Sequence, residues 1–339
     1  MRAVAYQTPH PIDHPAALLD IELPTPTPQG RDILVAVQAI AVNPVDTKVR
    51  ANRSAAAGEW VTLGWDASGI VEAVGPDVVG FRPGDRVWHA GDLQRAGSYA
   101  EYQLVDERLV GHMPHSLDFA TAASLPLTAI TAWEMLFDRL QLRRDDPSPG
   151  QLLIIGAAGG VGSIMVQLAR QLTNFTVIGT ASRASTQEWV LAAGAHHVID
   201  HSQPLAPQLA ELGFAHVSHV VCLTHTDEHY AQIVEILAPQ GHFGLIDDPA
   251  TLLDIRLLKR KSIALHWELM FTRSLYQTAD MAAQQALLNQ VAQLVDAGQL
   301  KPTVGEHFGL INAANLRRAH ALLESGQARG KIVLSGFAG

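Results

Sequence analysis

The chain has 339 residues and is poor in cysteine, in charged residues and in long apolar runs. Its single cysteine, Cys222, excludes an intramolecular disulfide and any zinc site built from three or four cysteines, and it favours a reducing compartment. Charged residues make up 17% and the net charge is −9, so the basic surface of a nucleic-acid-binding protein is missing.

No apolar run approaches the ~20 residues of a membrane-spanning helix, and prolines interrupt the first residues before the apolar core of a signal peptide could form. We therefore expect a cytoplasmic protein with no membrane and no nucleic acid among its partners. Hydrophobic residues make up 47%, which is enough to fill the cores of two domains at ~150 residues each.

The composition and the hydrophobic pattern of the chain change near residue 120. The first part has short β-branched runs, such as 33–37 and 69–74, between closely spaced turns, which favours a barrel-like domain. The second part alternates strand-like and helix-like runs and predicts a doubly wound parallel sheet, so the fold class is α/β. The runs are a helix over 120–136 with Pro126 in its first turn, a buried strand at 151–155, a helix over 163–172, a strand at 176–179, a helix over 281–297 and a last strand at 330–334.

A glycine-rich loop joins the buried strand to the amphipathic helix. It consists of Gly156, Ala157, Ala158, Gly159, Gly160, Val161 and Gly162. Glycines let phosphates approach backbone amides, and a helix N-terminus offers unpaired N–H donors and the positive end of its dipole. Ala157 departs from the strict G-x-G-x-x-G pattern, while Gly162 would allow the helix to pack closely on the strand. The context predicts a dinucleotide site at 157–162; a structural turn without ligand is the alternative.

The end of the next strand indicates which dinucleotide binds. NAD sites usually have a carboxylate here for the ribose 2′-hydroxyl. No acidic residue lies between Val177 and Gln187, and Ser182 and Arg183 stand in that place. A guanidinium can make charge-assisted contacts with a 2′-phosphate, so we expect NADP(H), with a solvated Arg183 as the alternative.

One stretch matches a zinc peptidase pattern, H-x-x-E-H, from His225 to His229. That pattern needs a helix that presents both histidines inward. Here His225 directly follows a strand that ends at the edge where a cofactor would lie, so we expect a loop beside the cofactor and not a metal site.

The order of these parts resembles the medium-chain dehydrogenase/reductase superfamily over nearly the whole chain. Similar stretches are the early motif 43–46, the barrel stretches 64–71 and 84–87, the coenzyme loop 157–162 of the quinone oxidoreductase branch, 194–200, and 266–274 of the subgroup called zinc-type alcohol dehydrogenase-like. The resemblance implies a GroES-like catalytic domain formed by 1–124 and 271–339, and a Rossmann NADP-binding domain at 125–270.

The zinc in that subgroup name has no ligands in this sequence. Zinc alcohol dehydrogenases have a cysteine near the early motif, a Gly-His-Glu and a second cysteine before the Rossmann domain. The corresponding stretches here, 43–46, 64–66 and 122–124, contain neither cysteine nor histidine. Alcohol oxidation then lacks its Lewis acid, whereas a quinone or an enone is already electrophilic. We expect a zinc-independent, NADPH-dependent reductase of quinones or α,β-unsaturated carbonyls.

The resemblance also implies the residues on the acceptor side. Asn43 would lie near the nicotinamide and orient it or bond the acceptor's oxygen, and Asp46 would set a polar network behind it. Lys48 stands where many quinone reductases have a tyrosine. Trp65 and Trp267 would be walls for a flat acceptor. Turn closure for Asn43, loop capping for Asp46 and core packing for the tryptophans are the alternatives.

On the cofactor side, the resemblance implies that His201 contacts the adenosine half and that Leu223 and Thr224 flank the cofactor. No side chain is an evident general acid. A non-catalytic NADPH-binding redox sensor or structural protein therefore stays open beside the reductase. The resemblance also implies a homodimer that takes a small-molecule electron acceptor.

Overall fold

The structure is a computed structural model that describes residues 1–143, 145–146 and 149–337. Its contacts define two compact units: unit 1 is Met1–Ile130 with Phe271–Gly339, and unit 2 is Thr131–Met270. Residues 125–130, which the sequence analysis places in the nucleotide-binding domain, group here with unit 1.

The elements are numbered along the chain. The strands are β1 (Arg2–Tyr6), β2 (Leu19–Glu22), β3 (Asp32–Val42), β4 (Val61–Thr62), β5 (Ala67–Val74), β6 (Arg86–His89), β7 (Tyr102–Asp106), β8 (Val110–His112), β9 (Gln151–Ile155), β10 (Thr176–Thr180), β11 (His197–Ile199), β12 (Val217–Cys222), β13 (Leu237–Leu245), β14 (Ala264–Trp267), β15 (Val304–His307) and β16 (Lys331–Ser335). The α-helices are α1 (Pro44–Asn52), α2 (Phe119–Ala122), α3 (Pro126–Trp133), α4 (Gly160–Leu172), α5 (Ala184–Ala192), α6 (Leu205–Glu211), α7 (Thr226–Ile236), α8 (Thr272–Leu275), α9 (Ala283–Asp296) and α10 (Ala313–Glu324). Within the described ranges, every helix is too short or too polar to cross a bilayer.

Unit 2 contains a parallel sheet in the order β11-β10-β9-β12-β13-β14. Counted from β9 as the first strand, this is the order 3-2-1-4-5-6 of the doubly wound nucleotide-binding fold, so the predicted architecture is confirmed. β9 is central, and its residues Leu152 to Ile155 are fully buried because helices cover both faces of such a sheet. The order reverses between β9 and β12, and open α/β sheets generally bind ligands outside the carboxyl ends of the strands at such a reversal.

Three histidines on neighbouring strands of this sheet stack on one another. The rings of His219 on β12 and His242 on β13 lie 4.7 Å apart and almost parallel, and the ring of His266 on β14 lies 5.3 Å from that of His242. His242 Nδ1 and His266 Nε2 are 3.1 Å apart. Burial and the neighbouring imidazoles lower the pKa of His219 to about 4, so the stack is neutral near pH 7.

Unit 1 is built around β3, an eleven-residue strand that pairs antiparallel with β5, β7 and β16. The sheet continues outward through β6 and β8 on one side and β15 on the other, and a small sheet β2-β1-β4 completes the unit. Its core contains Ile33, Val35, Val71, Val87 and Val105, the β-branched residues that predicted strands here.

The expectation of one helix over 120–136 is wrong. α2 ends at Ala122, α3 begins at Pro126, and a π-helical turn follows at Glu134–Arg139. A proline disfavours helical backbone at the residue before it, here Leu125, and is itself suited to the first helical position. Pro126 therefore starts a second helix.

Candidate active site

The glycine loop lies at the carboxyl end of β9, the central strand of unit 2. Gly156 has a φ of +83°, which favours glycine, and Gly159 is the N-cap of α4. A Cβ on Gly162 would lie 2.5 Å from the Cα of Ala157, so the helix packs directly on the loop backbone, as expected for this glycine. The first N–H groups of α4 have no acceptor within the helix and lie at its positive end. They form a cradle for an anionic group.

Neighbouring strands bring further polar groups to the same loop. The Gly156 N–H donates to Oγ1 of Thr180, at the end of β10, over 3.2 Å. His201 Nδ1 is 3.1 Å from that same oxygen. Leu223 donates its N–H to Ile155, and a Cβ on Gly156 would lie 3.1 Å from the Thr224 methyl group. The structure thus brings His201, Leu223 and Thr224 to the loop. Sequence reasoning missed Thr180, although a hydroxyl at the end of the adjacent strand could have indicated it.

Ser182 and Arg183 follow β10 at this edge of the sheet, and both are exposed. Arg183 is the N-cap of α5, and Thr186 fixes its backbone by accepting from the Arg183 N–H and donating to the Arg183 carbonyl. The first turn of α5 contains no acidic residue. A hydroxyl, a guanidinium and a helix N-terminus therefore lie where a ribose 2′-substituent is expected.

Unit 1 contains a second candidate region, a buried set of six side chains that we call the polar cluster. Its members are at most 3% exposed: Asn43, Asp46, Asp66, Tyr99, His320 and Lys331. The Lys331 ammonium donates to the Val42 carbonyl and to Asp66 Oδ2, both at 2.9 Å, and to Asn43 Oδ1. Asn43 Nδ2 donates to Asp66 Oδ2 over 2.8 Å. Both ends of the Asn43 carboxamide are therefore held, and its orientation is fixed.

Asp46 lies on the other side of Asn43. Its Oδ2 accepts from the Asn43 N–H at 2.6 Å and from the Tyr99 hydroxyl at 3.0 Å, so Asp46 caps the start of α1. The Tyr99 oxygen is also 3.1 Å from His320 Nε2. Burial raises the pKa of Asp46 to about 7, although the Asn43 N–H, the Lys331 charge and the Tyr99 hydroxyl each lower it.

Three further predicted residues lie outside this cluster. Lys48 is exposed on α1. Trp65 is 1% exposed, its indole N–H donates to the Asp92 carbonyl, and its ring packs edge-on against Phe271. These contacts favour core packing for Trp65. Trp267 is on β14 of unit 2 and is 52% exposed. The acceptor-side roles of all three stay predictions.

Sequence reasoning missed Lys331, Tyr99 and His320. Each is far along the chain from the early motif, and spacing alone does not connect them. The sequence places Lys331 directly before the apolar run Ile332 to Leu334, but only the structure shows that its ammonium is buried.

The donors in this region do not fit zinc. Among the described residues, no group of three or more His, Cys, Asp or Glu side chains could hold a metal ion. Zinc prefers cysteine and histidine ligands, whereas the oxygens of Val42, Asn43 and Asp66 already surround the Lys331 ammonium. His225, the first residue of the H-x-x-E-H stretch, is the N-cap of α7, and its Nδ1 is 2.7 Å from Thr224 Oγ1. The expectation of a loop is wrong for the rest of the stretch, because Thr226 to His229 form the start of α7.

Comparison with known proteins decides the family. The chain matches two family models, the alcohol dehydrogenase GroES-like domain over residues 29–115 and the zinc-binding dehydrogenase over 193–334. A zinc-type alcohol dehydrogenase-like protein of Staphylococcus aureus (strain Mu50 / ATCC 700699) is 40% identical over 99% of this chain and 100% of its own length. The chain belongs to the medium-chain dehydrogenase/reductase superfamily. The predicted family, the GroES-like domain and the Rossmann sheet are confirmed.

Solved structures agree with this assignment. A candidate zinc-dependent alcohol dehydrogenase from Rhizobium etli CFN 42 has a TM-score of 0.97 and 57% identity, with 100% of this chain and 98% of that one covered. A mycobacterial protein in complex with NADPH has a TM-score of 0.82, 26% identity and coverage of 99% and 100%. The quinone oxidoreductase of Coxiella burnetii has a TM-score of 0.79, 26% identity and 99% coverage of both chains. This superfamily member is an oxidoreductase that uses a nicotinamide cofactor.

Proposed function

We propose that this protein is a zinc-independent reductase that uses NADPH to transfer a hydride to quinones or α,β-unsaturated carbonyls. The observation that carries the proposal is the cradle of unit 2: a side-chain-poor loop at the start of α4, with Ser182 and Arg183 on the same edge of the sheet. Residues 157–162 would hold the pyrophosphate, and Thr180, His201, Leu223 and Thr224 would flank the cofactor. Bound NADPH supplies the hydride.

The choice of NADPH over NADH rests on charge. The edge after β10 offers the Arg183 guanidinium and no carboxylate before Glu188, which is exposed on α5. A 2′-phosphate placed there would gain a charge-assisted contact, whereas a free 2′-hydroxyl would lack its usual carboxylate partner. A relative of similar fold was solved with NADPH, which supports the same choice.

The choice of acceptor rests on the donor set of unit 1. Alcohol oxidation needs a group that stabilises an alkoxide, which zinc supplies in dehydrogenases as a Lewis acid. The polar cluster instead has an ammonium held by three oxygens, and its one histidine, His320, is bonded to the Tyr99 hydroxyl. Quinones and enones accept a hydride without such a Lewis acid, and a structural relative is named a quinone oxidoreductase.

Cofactor choice is tested by titrating the protein with NADPH and with NADH and following nucleotide fluorescence. We expect the wild type to bind NADPH more tightly than NADH. Arg183→Glu should weaken the affinity for NADPH by about 10- to 100-fold, since a hydrogen bond to a charged group contributes about 1.5–3 kcal/mol. The affinity for NADH should change little. Arg260→Glu, at another exposed arginine of unit 2, is the matched control. Equal affinity of the wild type for both nucleotides would contradict the proposal.

Zinc independence and acceptor class are tested with the same preparations. After dialysis against a chelator and metal analysis, the protein should contain no stoichiometric zinc and should still oxidise NADPH with a panel of quinones and enones. Stoichiometric zinc whose removal abolishes turnover would contradict zinc independence.

A second candidate is a non-catalytic NADPH-binding redox sensor or structural protein. It is favoured by Lys48 in place of the usual tyrosine and by an Asn43 carboxamide whose two ends are already bonded. Tight NADPH binding without turnover across the panel would support this candidate over the reductase.

A further inference from the structure

Two histidines of unit 2 are tied to the first residue of the glycine loop through threonine hydroxyls. Gly156 donates its N–H to the Thr180 hydroxyl oxygen, which is 3.1 Å from His201 Nδ1. Gly156 also lies against Thr224, because a Cβ built on this glycine would be 3.1 Å from the Thr224 methyl group. Thr224 Oγ1 is in turn 2.7 Å from His225 Nδ1. Both imidazoles therefore lie next to the residues that shape the cradle.

A third histidine, His229, belongs to the same group. Its ring centroid is 6.0 Å from that of His201, and its N–H donates to the His225 carbonyl in the first turn of α7. His229 is 8% exposed, and its Nδ1 is buried with no hydrogen-bond partner among the described residues. We call His201, His225 and His229 the histidine cluster. All three are in unit 2, at the edge of the sheet that carries the glycine loop.

This edge has little permanent positive charge. The segments that follow β9, β10, β11, β12 and β13 are 156–159, 181–183, 200–204, 223–225 and 246–254. Their ionisable side chains are Arg183, the aspartates Asp200, Asp247, Asp248 and Asp254, and the histidines His201 and His225. NADPH adds the negative charges of a diphosphate and a 2′-phosphate to this set. Histidine is the side chain that can gain a compensating positive charge near neutral pH.

We propose that the histidine cluster takes up a proton from solvent when the phosphates of NADPH bind at the cradle, so that the affinity for the nucleotide rises as pH falls from 8 toward 6. The inference deepens the proposed function and rests on it, because it takes the cradle as the nucleotide site. The proton goes to an imidazole nitrogen, and the nucleotide itself is unchanged. The cluster thus supplies positive charge only while the nucleotide is bound.

In the free protein, the surroundings of His201 disfavour its charged form. Burial is the largest cause and lowers the pKa of His201, Asp200 raises it, and the His225 charge lowers it again, with a net decrease. A bound phosphate is a further anion beside this ring, and an anion close to a histidine raises its pKa. A pKa that rises on binding through the pH of the solution requires proton uptake.

His229 has the same balance. Burial is again the largest cause that lowers its pKa, and the charges of His201 and His225 lower it further. Glu228 and Asp247 raise it by less, so the net change is a decrease. Because the cluster members lower one another's pKa, a bound anion favours the first protonation of the cluster more than a second one.

Proton uptake is measured by calorimetric titration with NADPH in buffers of different ionisation enthalpy. At pH 6.5 we expect the wild type to take up a fraction of a proton per nucleotide, and a variant that combines His201→Gln, His225→Gln and His229→Gln to lose most of that uptake. His216→Gln is the matched control, because His216 is exposed and directly precedes β12, at the opposite end of that strand. Repeating the titration with NADH, which lacks the 2′-phosphate, separates the histidines from the titration of that phosphate at about pH 6.

Affinity gives a second readout, and it needs only one substitution. In His201→Gln the carboxamide can still bond the Thr180 hydroxyl but cannot become charged. At pH 8 its Kd for NADPH should equal that of the wild type, whereas at pH 5.5 it should be weaker by up to about tenfold, since one unit of pKa shift corresponds to that factor. A role of His201 in packing alone would weaken binding equally at both pH values.

The outcomes separate this inference from the proposed function. NADPH binding by the wild type without proton uptake at pH 6.5, equal uptake by the wild type and the combined variant, or an equal loss of affinity in His201→Gln at pH 8 and pH 5.5 would overturn the inference and leave the proposed function in place. A wild type that does not bind NADPH would overturn the proposed function and the inference with it.

Discussion

Replacing the Asp46 carboxyl group by an amide should change how the stability of the protein depends on pH. In the folded protein, burial raises the pKa of Asp46 from its ordinary 3.8 to about 7. Between these values the folded protein holds a proton that the unfolded chain lacks, so its free energy of unfolding falls as pH rises. The slope from this group is at most about 1.4 kcal/mol per pH unit, and the total loss by pH 7 is at most about 4 kcal/mol.

Asp46→Asn keeps the size of the side chain and an oxygen that can accept from Asn43 and Tyr99, but it does not ionise. Its stability relative to the wild type should therefore grow between pH 4.5 and pH 7 and level off above. Urea denaturation at four pH values from 4.5 to 8.5 measures this difference directly. Asp13→Asn, at an exposed carboxyl group, is the control. A difference between Asp46→Asn and wild type that stays constant over the whole range would refute the reasoning.

Two further predictions concern unit 2. Gly162→Ala would place a Cβ 2.5 Å from the Cα of Ala157, so the loop backbone must move. We expect this variant to lose about 1–3 kcal/mol of stability in thermal unfolding and to bind NADPH more weakly in nucleotide titration. The control is Gly80→Ala, whose Cβ would have no atom closer than 3.5 Å and which should be neutral in both measurements. The histidine stack should contribute stability above pH 6.5 and lose it as pH falls toward 4, because the pKa of His219 is lowered to about 4. His219→Gln should therefore lose less stability than the wild type between pH 6.5 and pH 4. Parallel curves of stability against pH for the two proteins in acid titration would contradict this.

The nucleotide unit could be predicted from the sequence in detail because its information is local. The apolar run 151–155 coincides with β9, since a strand buried on both faces needs apolar residues at every position. The helix expected from residue 163 begins at Gly160 instead. The prediction used the spacing of apolar side chains, and glycines have no side chain to contribute to that pattern. Pro126 was expected inside the first turn of one longer helix, and its effect on the preceding residue was missed.

The polar cluster could not be predicted in the same way. Its bonds join residues 53, 221 and 265 positions apart, and no periodic pattern links such distances. The early motif pointed to Asn43 and Asp46, and the resemblance gave them roles near the nicotinamide and the acceptor. What holds them, namely Lys331, Tyr99 and His320, follows only from the way β16 and α10 return to the first strands of unit 1.

The position of Lys331 on the last strand has a consequence for synthesis of the protein. β16 pairs with β3, and its lysine is the buried cation beside Asp66. A chain still emerging from the ribosome would have to bury that carboxylate without its counter-ion, which is strongly unfavourable. Unit 2 is one continuous range of the chain and can fold as soon as its residues have been synthesised. Unit 1 consists of two ranges, so it can complete its fold only when nearly the entire polypeptide has been made. A chain that terminates before residue 331 should thus be unable to complete the sheet of unit 1, because β3 would lack β16 as its partner.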